Sequence, residues 1–150
     1  EHVVPFRDFC ASFARDKHGN TMLLSACAKQ RSKEMIQFLM QQPGVDVCAV
    51  NHDGMNAIHL AAQSGRLDIL QCLGQDKRAD LFAIPDRFGR TPLHFTCEGG
   101  YVFVMDWLIQ KVGVKGMFRT NHLVAETPFH VAGEMNQFGV IAHFIVQYAI

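Results

Sequence analysis

The sequence predicts an all-α solenoid of stacked helix-turn-helix pairs joined by extended, hairpin-like loops. Three observations predict it. A seven-residue phrase recurs at Thr21 to Cys27, Asn56 to Ala62, Thr91 to Cys97 and Thr127 to Gly133, with starts 35, 35 and 36 residues apart. A stride of that size marks units that bury a core only by stacking. Each phrase opens on Thr or Asn and runs on into apolar residues, as a capped helix does. A second apolar run follows each phrase, with the broad stripe of a buried helix.

In chain order, Phe6, Phe9, Cys10 and Phe13 are spaced i, i+3, i+4 and i+7. They read either as an amphipathic capping helix or as the end of a degenerate preceding unit. The first full unit has Asp16, Gly19, Thr21, Leu23, Ala26 and Cys27, then Met35, Ile36, Leu39 and Met40, with one extra residue before that second helix. The second has Asn51, Gly54, Asn56, Ile58, His59, Ala61, Ala62 and Gly65, then Ile69, Leu70 and Leu73. The third has Asp86, Gly89, Thr91, Pro92, Leu93, His94 and Gly100, then Val104, Met105, Leu108 and Ile109. The fourth has His122, Ala125, Thr127, Pro128, Phe129, His130, Ala132 and Asn136, then Val140, Ile141, Phe144 and Ile145. The domain is read as 1–15 (cap or half-unit) followed by units 16–50, 51–85, 86–121 and 122–150.

Local chemistry supports each boundary. Pro92 and Pro128 fall at the first helical position, where a missing N–H costs nothing. The small residues at 26–27, 61–62 and 132–133 let neighbouring helices approach. Gly65 and Gly100 suit a left-handed residue that ends the first helix of a pair. Segments 43–51 and 79–86 read as a helix stop followed by extended turns.

These units resemble the ankyrin repeat, whose pattern is roughly Asp-x-x-Gly-x-Thr-Pro-Leu-His-x-Ala-Ala-x-x-Gly before a second apolar helix. The resemblance covers Asp16 to Ile150. The third unit fits best, and the first carries Leu24 where the pattern has His. The resemblance implies that each inter-unit loop projects as a finger. It implies that the recurring His bonds its cap residue and a neighbouring loop. It also implies partners that touch finger tips and the inner face of the first helices.

Composition bounds the function. Apolar residues make up 49% of the 150, enough to fold. Zero formal net charge argues against general nucleic-acid affinity, which needs a basic stripe. No stretch reaches the roughly 18 uninterrupted apolar residues of a membrane span. Five cysteines, with no Cys-x-x-Cys spacing, include Cys27 and Cys97 in the small-residue slot of a first helix. Such core thiols suit a reducing compartment, cytosol or nucleus. The chain starts at Glu1 and ends on apolar Tyr148, Ala149 and Ile150. Those ends predict a piece of a longer protein with a truncated last unit, or a last helix packed against something else in the parent.

Eight histidines raise the question of a metal. His59, His94 and His130 recur with the stride, so they stand one helix diameter, roughly 10 Å, apart along the stack. Zinc needs ligands within about 2.1 Å of one ion, so the row is structural. The other five read as finger or helix-surface residues. No metal, cofactor or catalytic residue is expected, and a Cys–His nucleophile is disfavoured because a reactive thiolate needs an exposed, electropositive setting.

The expected function is non-catalytic protein recognition. Slots that vary between units are free to specify a partner. Met55, Phe88, Leu123 and Val124 lie on adjacent fingers, and Arg87 and Arg90 flank Phe88, an Arg/aromatic mix typical of hot spots. The expected contact set is Met55, Arg87, Phe88, Arg90 and Leu123; the competing reading is that Phe88 and Leu123 tuck against the neighbouring loop. A second reading makes the domain the substrate-recruiting arm of a larger enzyme, such as an acyltransferase, kinase or bacterial effector. A third is self-association through the apolar C-terminal helix.

Overall fold

The structure, a computed structural model, describes residues 15–77, 81–121 and 125–149. The expected cap within residues 1–14 lies outside them, as do His122, Leu123 and Val124. The described residues form four helix pairs. The first helices are α1 (Met22–Ala28), α3 (Ala57–Gln63), α5 (Pro92–Gly99) and α7 (Pro128–Glu134). Their partners are α2 (Lys33–Gln41), α4 (Leu67–Gly74), α6 (Val102–Val112) and α8 (Phe138–Tyr148). A 3-10 helix, Val114–Phe118, follows α6. First helices pack in the row α1, α3, α5, α7, and second helices in the row α2, α4, α6, α8.

The recurring phrase starts each first helix as the sequence predicts. Thr21, Asn56 and Thr127 accept the backbone N–H three residues on with their side chains, a cap worth about 1 kcal/mol. The two middle first helices, α3 and α5, then bury both faces. Ile58, Ala61 and Ala62, or Leu93 and Cys97, are shut from solvent. Gly65 and Gly100 take φ of 68° and 75° and turn the chain into the second helix. The second helices bury Ile69, Leu70 and Leu73, and Val104, Met105, Leu108 and Ile109. Two residues depart from the stripe: Met35 and Ile145 are about half exposed.

One backbone bond recurs in every loop: Asp16 N–H to the Asn20 carbonyl, Asn51 to Met55, Asp86 to Arg90 and Asn121 to Glu126. The fourth pairing corrects the sequence alignment. Asn121, not His122, fills the slot of Asp16, Asn51 and Asp86, so these positions recur every 35 residues. The extra residue that stretches the last stride to 36 belongs to the fourth finger.

Adjacent fingers bond to each other. His52 N–H donates to the His18 carbonyl at 3.0 Å and Arg87 N–H to the Asp53 carbonyl at 2.8 Å. Asn51 Nδ2 donates to Asn20 Oδ1 at 3.1 Å. The first three fingers are therefore joined by hydrogen bonds along one edge.

Candidate functional site

The third finger is built around Asp86, whose side chain is fully buried. Its Oδ1 accepts the backbone N–H groups of Phe88 and Arg90 at 2.9 and 2.8 Å. Its Oδ2 accepts Arg90 Nε at 2.8 Å. One carboxylate thus shapes the turn and neutralises the guanidinium beside it. Arg90 then bridges two rings, its Cζ 5.1 Å from the Phe88 centroid and 4.6 Å from that of Phe95. Phe95 is buried in α5 and meets His59 edge-on at 5.9 Å. At the outer end, Arg87 is exposed and its Cζ lies 5.6 Å from the Phe88 centroid. A run of alternating rings and guanidiniums therefore leads from the core to the finger tip. Phe88 itself is half-buried, so it is both anchored and open.

The structure brings Arg87, Phe88 and Arg90 together. It does not add Met55, which is 5% exposed and part of the core. The expectation of an exposed Met55 is corrected by the slot it fills. This position just before the helix cap lies under the finger, where Asn20 is also buried. Met55 closes its turn through both backbone groups, its N–H to Asn51 Oδ1 and its carbonyl to Asn51 N–H. Arg90, in the same slot, is partly buried and held by Asp86.

Sequence reasoning missed Phe95 as the inner ring, although it follows His94 in the repeating phrase. It also missed Asp86 as the counterion, although Asp86 and Arg90 stand four apart.

His59 and His94 occupy both ring nitrogens with the stack. Nδ1 of His59, His94 and His130 accepts the backbone N–H of its cap residue at 3.2, 3.0 and 3.3 Å. Nε2 therefore carries the proton. It donates to the Arg90 carbonyl from His59, at 3.1 Å, and to the Glu126 carbonyl from His94, at 3.0 Å. Burial pushes His59 down to about 4 and lowers His94 as well. Among the described residues no three His, Cys, Asp or Glu side chains are grouped to hold a metal ion. His143 departs from the surface role expected of it. It is partly buried and its Nε2 lies 2.7 Å from Asp106 Oδ2, while Tyr148 donates to Oδ1 at 2.9 Å.

The thiols of Cys27 and Cys97 are pushed up to about 12 by burial, so both stay protonated. No helix among the described residues is long and apolar enough to cross a membrane.

Comparison with known proteins agrees with this geometry. Residues 23–73 match the profile of ankyrin repeats in many copies and residues 88–120 that of a single ankyrin repeat, together more than half of the chain. The chain belongs to the ankyrin repeat family. Ankyrin repeats are protein-interaction modules. A protein of Rickettsia bellii named for its ankyrin repeats is 32% identical over 96 residues, 64% of this chain and 52% of its own length. The NF-kappa-B inhibitor cactus of Drosophila melanogaster is 31% identical over 114 residues, 57% of this chain and 22% of its own. A protein of Dictyostelium discoideum named as a serine/threonine-protein kinase is 27% identical over 107 residues, 69% of this chain and 10% of its own. The ankyrin chain thus spans about half of the first and less than a quarter of the other two.

Proposed function

We propose that the domain recognises a partner protein without catalysis, and that the third finger is its main contact. The observation that carries this reading is Phe88, an aromatic ring held half-open at a finger tip by two guanidiniums. An ordered Arg/aromatic cluster loses little side-chain entropy on binding, which is what a hot spot requires. Arg87 and Phe88 form the contact; Arg90 acts by holding the ring. Leu123, which the sequence assigns to the next finger and which lies outside the described residues, belongs to the proposed contact set in this reading. The buried, protonated thiols favour the cytosol or nucleus as its compartment.

The test compares proteins captured by the immobilised domain with those captured by the Phe88→Ala variant. The reading expects a specific protein bound by the first and lost by the second, with helical circular dichroism unchanged. Equal capture would remove the finger from consideration.

A second reading has the domain as the recruiting arm of a larger enzyme. It draws on the short share of the longer relatives that the chain covers, one of them named as a kinase. Catalytic motifs elsewhere in the full reading frame would support it. Self-association draws on α8, where Phe138 and Val146 are more than three-quarters exposed. Sedimentation as a monomer at high concentration would reject it.

A further inference from the structure

The third finger holds two arginines in different states. Arg90 is neutralised: its Nε contacts Asp86 Oδ2 at 2.8 Å, and that carboxylate makes its other bonds to backbone. Arg87 is not. Among the described residues no carboxylate lies within ion-pair distance of it, and its guanidinium rests on the Phe88 ring. Its backbone is fixed by the bond from its N–H to the Asp53 carbonyl. The one charge left uncompensated by this cluster is therefore an exposed, pre-positioned guanidinium.

Resting on the reading of this finger as a contact surface, we propose that Arg87 recognises a carboxylate, and that the partner segment docking here carries an Asp or Glu beside an apolar contact to Phe88. A guanidinium presents a planar fork of N–H donors that matches a carboxylate in a two-bond geometry. Stacking on an aromatic ring leaves the edge of that fork free for such bonds. A nucleic-acid backbone fits less well, because the chain has zero formal net charge and this finger offers no stripe of cations.

The test follows the Arg87 Nε–H resonance of the whole domain at low salt while acetyl-(Glu)6-amide is added. The isosteric acetyl-(Gln)6-amide and inorganic phosphate serve as separate arms. The proposal expects the resonance to move with the Glu peptide only. It expects binding to weaken several-fold between 50 and 200 mM salt and to vanish in Arg87→Gln, whose helical circular dichroism stays unchanged. Arg87→Lys keeps the charge and loses the fork, so it binds several-fold more weakly than the wild type. Equal shifts with the Gln peptide, or an unaltered response in Arg87→Gln, would overturn it. Shifts as large with phosphate would overturn it too, in favour of a phosphate site. Partner capture lost in Phe88→Ala but intact in Arg87→Gln would keep the finger as a contact surface and reject the carboxylate. Capture unaffected by both would reject the surface itself.

Discussion

His59 Nε2 donates to the backbone carbonyl of Arg90, 3.1 Å away and 31 residues later in the chain. The same ring accepts the Asn56 N–H on Nδ1. One imidazole therefore caps its own helix and fastens the third finger, which carries Phe88. The Nδ1 bond requires a neutral ring.

Stability should fall as the solution is acidified. In the native state His59 resists protonation down to about pH 4, whereas the unfolded ring takes its proton near 6.5. Between those values the unfolded state binds more protons, so the His59 contribution is complete above 6.5 and is lost as pH falls towards 4. Each such group costs about 1.4 kcal/mol per pH unit in that window. His94 is shifted in the same direction and adds to the slope. Urea unfolding at pH 7, 5.5 and 4.5 measures it. His59→Leu, which copies the buried Leu24 of the first unit, should be less stable at pH 7 by about 1–3 kcal/mol, because it orphans buried groups. Its profile should be flatter.

Two glycine substitutions should have opposite signs. Gly54 has φ +74°, and a Cβ there would lie 2.7 Å from the Arg87 backbone nitrogen. Gly54→Ala should cost more than about 1 kcal/mol and disturb the third finger. Gly133 is helical, and a Cβ there would meet nothing within 4 Å. Gly133→Ala should raise stability by about 0.5–1 kcal/mol. Thermal unfolding of both variants decides.

Asp86→Ala should be severe and Asp86→Asn mild. The alanine leaves two N–H groups and a guanidinium without their acceptor, which costs about 3 kcal/mol or more. The asparagine keeps the turn, as Asn51 does in the second finger. Fluorescence-monitored urea unfolding separates the two.

Asp106 anchors the last helix through His143 and Tyr148. Asp106→Ala should let the end of α8 fray. Hydrogen exchange of the Phe144–Tyr148 amides should speed up by about tenfold, as for a loss near 1.4 kcal/mol, while α3 amides stay protected.

Much of the fold was legible because stacking forces equivalent residues into equivalent places. Thr91 and His94 announce a capped helix, and Val104 to Ile109 announce its partner. The contact surface was less legible. Met55 looked free because its slot varies between units, yet variation there reflects what fits beneath a finger. Asn121 was passed over because a constant phrase length hid the longer fourth finger. The bridge from Arg90 to Phe95 joins a loop to a helix, and only folding reveals which rings face that guanidinium. The 3-10 turn at Val114–Phe118, which buries Met117, lies outside the recurring phrase that carried the sequence reading.

A photo-crosslinker at two positions tests the central claim most directly. With benzoylphenylalanine in place of Phe88, irradiation should join the domain to its captured partner. The same group in place of the exposed Gln110, on the second-helix row, should give no adduct. Crosslinking from position 110 and none from position 88 would contradict the account.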